Sequence, residues 1–287
     1  MRILVTGCNG QLGNTIKDRQ HNYPQHQWLN TDVAELDITD GEAVEQFVGE
    51  HRIDGIINCA AYTAVDRAED DVEKATLLNV TGPANLAMAI EKRGGWLIHI
   101  STDYVFDGNH CTPYTEDLPT CPKSIYGKTK LEAEEVVLRN CQKAMIIRTA
   151  WLYSEYGNNF VKTMLRLGRE REQLKVVYDQ IGTPTYAGDL ADTILSVIAK
   201  GILSGIFHFS NEGVISWYDF TKAIHEMSGI TSCEVLPIRS AEYPAKAPRP
   251  AYSVLDKQKI KTQYHISIPY WKDSLAHCLN ILQEKES

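Results

Sequence analysis

The 287-residue chain has no long apolar run, no paired-cysteine motif and no excess of positive charge. No stretch approaches the roughly 18 apolar residues that span a bilayer, so no membrane partner is expected. The seven cysteines, at 8, 59, 111, 121, 141, 233 and 278, are odd in number, scattered and free of any Cys-x-x-Cys. A disulfide framework or a zinc site would need a more regular spacing, so free thiols in a reducing cytoplasm are expected. A net charge of −8 leaves no basic stripe of the kind that grips nucleic-acid phosphates. A few Arg or Lys in a pocket could still serve a small anion. The opening run Met1–Gly7 stops at glycine, too short for the apolar region of a secretory signal.

What is present is ordinary in bulk and informative in order. Hydrophobic residues make up 43% and charged residues 23%, the balance of a soluble globular domain. Short apolar runs alternate with amphipathic stretches, the βα rhythm of a parallel sheet covered on both faces. The strands read as Ile3–Thr6, Trp28–Thr31, Gly55–Asn58, Trp96–Ser101, Ala144–Thr149, Lys175–Val177 and Ile206–Phe209. Helical patterns cover Gln11–Arg19, Gly41–His51, Val72–Arg93 (two helices broken near Gly82-Pro83), Tyr126–Cys141 and Leu190–Ala199. The rhythm predicts an α/β, Rossmann-type doubly wound sheet with a smaller C-terminal substrate-binding lobe. Residues 1–152 form the dinucleotide-binding part, with 173–211 returning to it. Residues 153–172 and 212–287, rich in Pro and aromatic residues, form the lobe.

Gly7-Cys8-Asn9-Gly10-Gln11-Leu12-Gly13 follows the first strand and opens the first helix. In that context the glycines let backbone N–H groups approach a pyrophosphate, and the helix N-terminus adds partial positive charge. The spacing is G-x-x-G-x-x-G rather than G-x-G-x-x-G, and a ligand-free glycine turn is the competing reading. Gly7, Asn9, Gly10, Gln11 and Leu12 are the candidate cofactor residues. Asp32 stands at the end of the second strand, where an acidic residue receives the adenosine ribose hydroxyls. Its neighbours Thr31 and Val33 are not basic, which favours NADH and leaves NADPH open. Asp37 and Ile38 are expected to flank the adenine.

Tyr126 and Lys130 are i and i+4 at the start of a helix and share a face. Reduction of a ketone leaves an alkoxide that a tyrosine can protonate, provided a cation offsets a phenol pKa of about 10. With 14 tyrosines in the chain one such pair arises by chance, and Tyr218/Lys222 is a second. Position separates them, because only Tyr126 follows a sheet strand towards the glycine loop. At the end of the Trp96–Ser101 strand, Thr102 is the expected donor to the substrate carbonyl, with Ser101 as the alternative.

Together these motifs resemble the extended short-chain dehydrogenase/reductase superfamily, and within it the dTDP-4-dehydrorhamnose reductases. The segments carrying the resemblance are Ala60–Glu69, Ser101–Phe106, Tyr126–Lys130, Arg148–Trp151, Gly157–Phe160, Asp179-Gln180, Gly182–Thr185, Arg249-Pro250 and Ser253-x-Leu255-Asp256. The resemblance implies NAD(P)H-dependent reduction of a 4-keto sugar carried on dTDP, with Thr102, Tyr126 and Lys130 catalytic. It implies Ala60 and Ala61 beside the cofactor, and Val65, Asp66, Tyr104 and Trp151 around the sugar. Asp103 would assist proton movement. Arg249 suits a diphosphate, with a lobe-anchoring ion pair as the alternative. Many relatives carry a basic residue where this chain has Val33. Others are dimers bridged by Mg²⁺ through a glutamate of the first helix. Here that helix runs Gly13-Asn14-Thr15, so no metal is expected, and the chain is read as a monomer or weak homodimer.

Two other readings compete. An epimerase or dehydratase of the same fold would keep the cofactor site, but a dehydratase would typically show Asp-Glu where this chain has Asp103-Tyr104. A non-catalytic regulatory subunit, as in S-adenosylmethionine synthesis, could retain the fold and much of the motif set.

Overall fold

The computed structural model describes Met1–Glu286. The strands begin with β1 (Arg2–Thr6), β2 (Gln27–Thr31), β3 (Gly55–Asn58), β4 (Trp96–Thr102) and β5 (Ala144–Thr149). Next come β6 (Leu152–Tyr153), β7 (Gln173–Val177), β8 (Ile181–Gly182) and β9 (Thr185–Tyr186). The last are β10 (Gly205–His208), β11 (Ile215–Ser216) and β12 (Glu234–Ile238). The helices are α1 (Gln11–Arg19), α2 (Gly41–Glu50), α3 (Val65–Ala68), α4 (Val72–Thr76), α5 (Gly82–Lys92) and α6 (Ile125–Asn140). They continue with α7 (Phe160–Glu170), α8 (Ala187–Lys200), α9 (Trp217–Met227), α10 (Gln258–Tyr264) and α11 (Trp271–Glu286). None of the described helices is long and apolar enough to cross a membrane.

Six strands form one parallel sheet in the order β2-β1-β3-β4-β5-β10. Its apolar residues alternate between two cores. Ile3, Val5, Ile57, Ile98 and Phe207 pack with α1 and α8, whereas Leu4, Ile56, Leu97 and Ile146 pack with α2 and α5. Burial on both faces is why these strands read as continuous apolar runs. The chain leaves β1 towards β2 and then resumes at β3 on the other side of β1. The carboxyl ends of β1 and β3 therefore flank a topological switch point, the place where open α/β sheets bind ligands.

Two expectations change. Gln173–Val177 does not return to the large sheet but pairs in parallel with Glu234–Ile238; only α8 and β10 of the 173–211 stretch return. Its partner lies far along the chain, in a segment that carries no βα rhythm of its own. The expected break at Gly82-Pro83 is also absent. A π-turn over Leu77–Thr81 joins α4 to α5, with the Gly82 N–H bonded to the Leu77 carbonyl. Pro83 then falls in the first turn of α5, where its missing N–H is tolerated. The wider turn carries the rod past the proline.

A third core joins α7, α9 and α11 around Tyr153, Phe220, Ile224, Trp271 and Leu275. Ser216 caps α9 in a reciprocal capping box with Asp219.

Candidate functional site

Gly7 turns with φ +65, and a Cβ there would lie 2.7 Å from the Ala60 backbone. Gly13 is as constrained, since a Cβ would lie 2.3 Å from the Gly7 carbonyl oxygen. Glycine is therefore required where the loop, the start of α1 and the segment after β3 touch. Gly10 caps α1 without a side-chain bond, and no acidic residue lies in the first turn. The first N–H groups of the helix are left to face the cleft, the arrangement that receives a phosphate. Asp32 Oδ2 accepts from the Asn9 N–H at 3.1 Å, tying the loop to the end of β2. Glu35 Oε2 accepts from the Asp32 N–H at 2.9 Å, so a second carboxylate stands at the same turn.

A cleft of about 560 Å³ runs along the carboxyl ends of β1, β3, β4 and β5. Gly10, Gln11, Leu12 and Ala61 line it, as do Val65, Asp103, Tyr104 and Trp151. Thr102, Tyr126 and Lys130 line the same cleft. Helix α6 brings up two of these three. Ser124 caps it by accepting from the Gly127 N–H at 3.1 Å. A Cβ on Gly127 would lie 2.3 Å from the Tyr104 carbonyl oxygen, so this glycine lets α6 approach the turn after β4. The Tyr126 and Tyr104 rings meet edge to face with centroids 5.5 Å apart.

Burial pushes the Tyr126 phenol above its ordinary pKa, against a hydrogen bond with the Thr102 hydroxyl that lowers it. Lys130 Nζ is buried, donates to the Ile100 carbonyl at 2.6 Å and lies 3.2 Å from His99 Nε2. Burial lowers its ammonium to about 8, opposed by Glu134. Thr102 Oγ1 donates to Asp103 Oδ1 at 3.0 Å. Burial lifts the Asp103 carboxyl to about 6, against the hydroxyls of Ser253 and Thr102. The Ser101 hydroxyl is committed elsewhere, donating to Glu134 Oε1 at 2.5 Å. Of the two hydroxyls at the strand end, Thr102 is the one whose oxygen meets the phenol.

Trp151 has φ +48, which a non-glycine residue adopts only where its surroundings hold it. It stacks on Trp217 at 3.5 Å between ring centroids, and a Cβ on Gly182 would lie 2.7 Å from its indole. Arg249 donates to Asp66 Oδ2 at 2.8 Å and to the Tyr104 hydroxyl at 3.1 Å, joining three expected substrate residues into one network. Asp66 and Arg249 stand behind Tyr104 rather than in the cleft wall. The side chains are 46% and 27% exposed, so the pair contributes little and does not bar Arg249 from another anion.

Two expected residues are otherwise engaged. Asp37 Oδ1 closes its own turn by accepting from the Thr39 N–H and hydroxyl. Ile38 is a core residue against α5, 4% exposed. Neither lines the cleft, because the apolar requirement under α5 takes the Ile38 side chain inward. Tyr218 and Lys222 lie on α9, and neither lines it either.

Thr63, Thr149, Asn158 and Asn159 fall in the segments that carry the resemblance but were given no role, and they also line the cleft. Asn159 donates to Gln11 Oε1 at 3.0 Å, joining the lobe to the first turn of α1. Sequence reasoning passed over Asn79, which sits in the π-turn and bonds the Tyr62 backbone and the Thr129 hydroxyl.

A family model described as RmlD substrate binding domain matches residues 1–284. The chain is 42% identical to a dTDP-4-dehydrorhamnose reductase of Aggregatibacter actinomycetemcomitans, over 96% of this chain and 97% of that protein. It is similar in structure to a dTDP-4-dehydrorhamnose reductase of Clostridium acetobutylicum, with TM-score 0.95 and 45% identity over 99% of this chain and 100% of that one. A third similarity is to a dTDP-4-dehydrorhamnose reductase of Bacillus anthracis in complex with NADP. The TM-score is 0.94 and the identity 41%, over 98% of this chain and 99% of that one.

Proposed function

The chain belongs to the RmlD substrate-binding-domain family, and on that premise we propose that it reduces the 4-keto group of dTDP-4-dehydro-L-rhamnose with NAD(P)H, giving dTDP-L-rhamnose. The observation that carries this reading is one cleft lined both by the start of α1, which no side chain caps, and by Thr102, Tyr126 and Lys130.

The residues suit the cofactor chemically. The tight Gly7–Ala60 approach and the open N–H groups of α1 would hold a pyrophosphate, with Asp32 at the adenosine ribose. The bound nicotinamide supplies the hydride. Thr102 donates to the ketone oxygen, Tyr126 gives its phenol proton to the same oxygen as charge develops there, and Lys130 supports that transfer. Val65, Tyr104 and Trp151 frame the sugar, and a phenol held protonated by burial is suited to act as an acid.

Purified protein should oxidise NADH or NADPH only when dTDP-4-dehydro-L-rhamnose is present, followed by absorbance. No oxidation with either cofactor would overturn the reading. We further propose that NADH is the better cofactor, because the Asp32 and Glu35 carboxylates would oppose a 2′-phosphate. A preference in kcat/KM of roughly tenfold, equivalent to about 1.4 kcal/mol, is expected, and Asp32→Asn should narrow it. A preference for NADPH would remove the role given to Asp32.

A further inference from the structure

Thr6, Asn58 and His99 are register neighbours on β1, β3 and β4, and their side chains form a buried row ending at Lys130. The row has a fixed direction. The Ala60 N–H, which can only donate, reaches Asn58 Oδ1 at 3.1 Å, and the Thr6 hydroxyl donates to the same oxygen at 2.7 Å. The Asn58 amide nitrogen must then face His99 Nδ1, at 3.0 Å, and donate to it. His99 Nδ1 is thereby an acceptor, so the ring is neutral and carries its proton on Nε2. That N–H is directed at Lys130 Nζ, 3.2 Å away, which itself donates to the Ile100 carbonyl. An amine has a lone pair to receive the Nε2 proton; an ammonium has none.

We propose that His99, its tautomer locked by Asn58, is a positioning residue that docks Lys130 as the neutral amine and rejects the ammonium. This rests on the reading of Lys130 as catalytic. Lys130 then leaves the dock and turns towards Tyr126 only while it carries a proton. After Tyr126 has given its proton to the product oxygen, Lys130 passes one to the phenolate. The phenol is restored, Lys130 returns neutral to His99, and solvent supplies the next proton. Burial holds His99 well below its ordinary pKa, consistent with a ring that stays neutral. The other titratable groups facing Lys130 are Tyr126 and Glu134 on α6, Asp103 after β4 and Cys59 after β3. Glu134 is engaged by Arg148 of β5.

Two measurements test this. In ¹H–¹⁵N long-range correlation spectra of the labelled wild-type protein, the His99 signal should show the Nε2–H tautomer, unchanged from about pH 5 to 9, a range in which a free histidine titrates. It is identified by its absence in His99→Leu. In kinetics, His99→Leu removes the donor that favours the amine and adds no charge. The alkaline limb of its kcat profile should move up by about one pH unit with KM unchanged. Asn58→Asp turns the ring to the Nδ1–H form, so Nε2 accepts from the ammonium and holds it at the dock. Its alkaline limb should also rise, and kcat near neutrality should fall roughly tenfold. An Nδ1–H tautomer, a His99 that titrates in that range, or an alkaline limb unmoved in both variants would overturn the proposal. The spectrum needs no substrate, so a wild-type protein inactive in the reductase assay would fail that reading separately from this one.

Discussion

Tyr126→Phe is expected to lower kcat by roughly 10²–10⁴-fold, the contribution of a positioned proton donor. The substitution removes one oxygen and keeps the ring, so the edge-to-face contact with Tyr104 and the capped start of α6 survive. The loss should therefore appear in kcat at unchanged thermal stability, with cofactor KM close to wild type. Tyr218→Phe is the matched control, since it makes the same chemical change in the i, i+4 pair on α9, outside the cleft. Its kcat should stay within about twofold of wild type, as expected for a residue that neither donates nor positions. Equal losses at the two tyrosines would mean that the proton reaches the substrate by another route.

The second large effect is on stability. Arg148 and Glu134 are each 2% exposed and joined at 2.6 Å, with the Ser101 hydroxyl on the same carboxylate. Arg148→Met would leave the carboxylate buried without its cation, a change that costs about 3–5 kcal/mol. For a chain of this length that corresponds to a fall in Tm on the order of 10 °C. Glu134 would keep its buried carboxylate with only the Ser101 hydroxyl to offset it. Thermal unfolding of the variant beside the wild type reads this directly. Glu134→Leu combined with Arg148→Met should recover most of the loss, because exchanging both partners for apolar groups leaves no orphaned charge. A double variant no more stable than Arg148→Met would show that the cost lies in packing around the guanidinium, which also lies 5.1 Å from the Phe106 ring.

Much of the site follows from short stretches of chain. A strand running into Gly7, a helix opening at Gln11 and the i, i+4 spacing of Tyr126 and Lys130 are local patterns. Backbone sterics and helix period hold them in any context, so they could be read without coordinates. The five strands from Ile3 to Thr149 are legible for a related reason. All but the edge strand Gln27–Thr31 are buried on both faces and so carry their own apolar run. The sequence preferred Thr102 to Ser101 by position alone, and the contact that engages Ser101 is tertiary. Glu134 of α6, held by Arg148 of β5, accepts its hydroxyl.

The pairing of Gln173–Val177 with Glu234–Ile238 likewise joins segments distant in the chain, and neither strand announces its partner. Ile38 is a position whose burial the sequence did not mark, since its side chain packs in the core beneath α5. The row from Thr6 through Asn58 and His99 to Lys130 is the clearest division. The sequence by itself determined that a lysine would sit one turn after a tyrosine at the sheet edge. Only the tertiary structure decided which atoms meet that lysine, because a hydrogen bond's direction is set by donors on three separate strands and no local pattern encodes it.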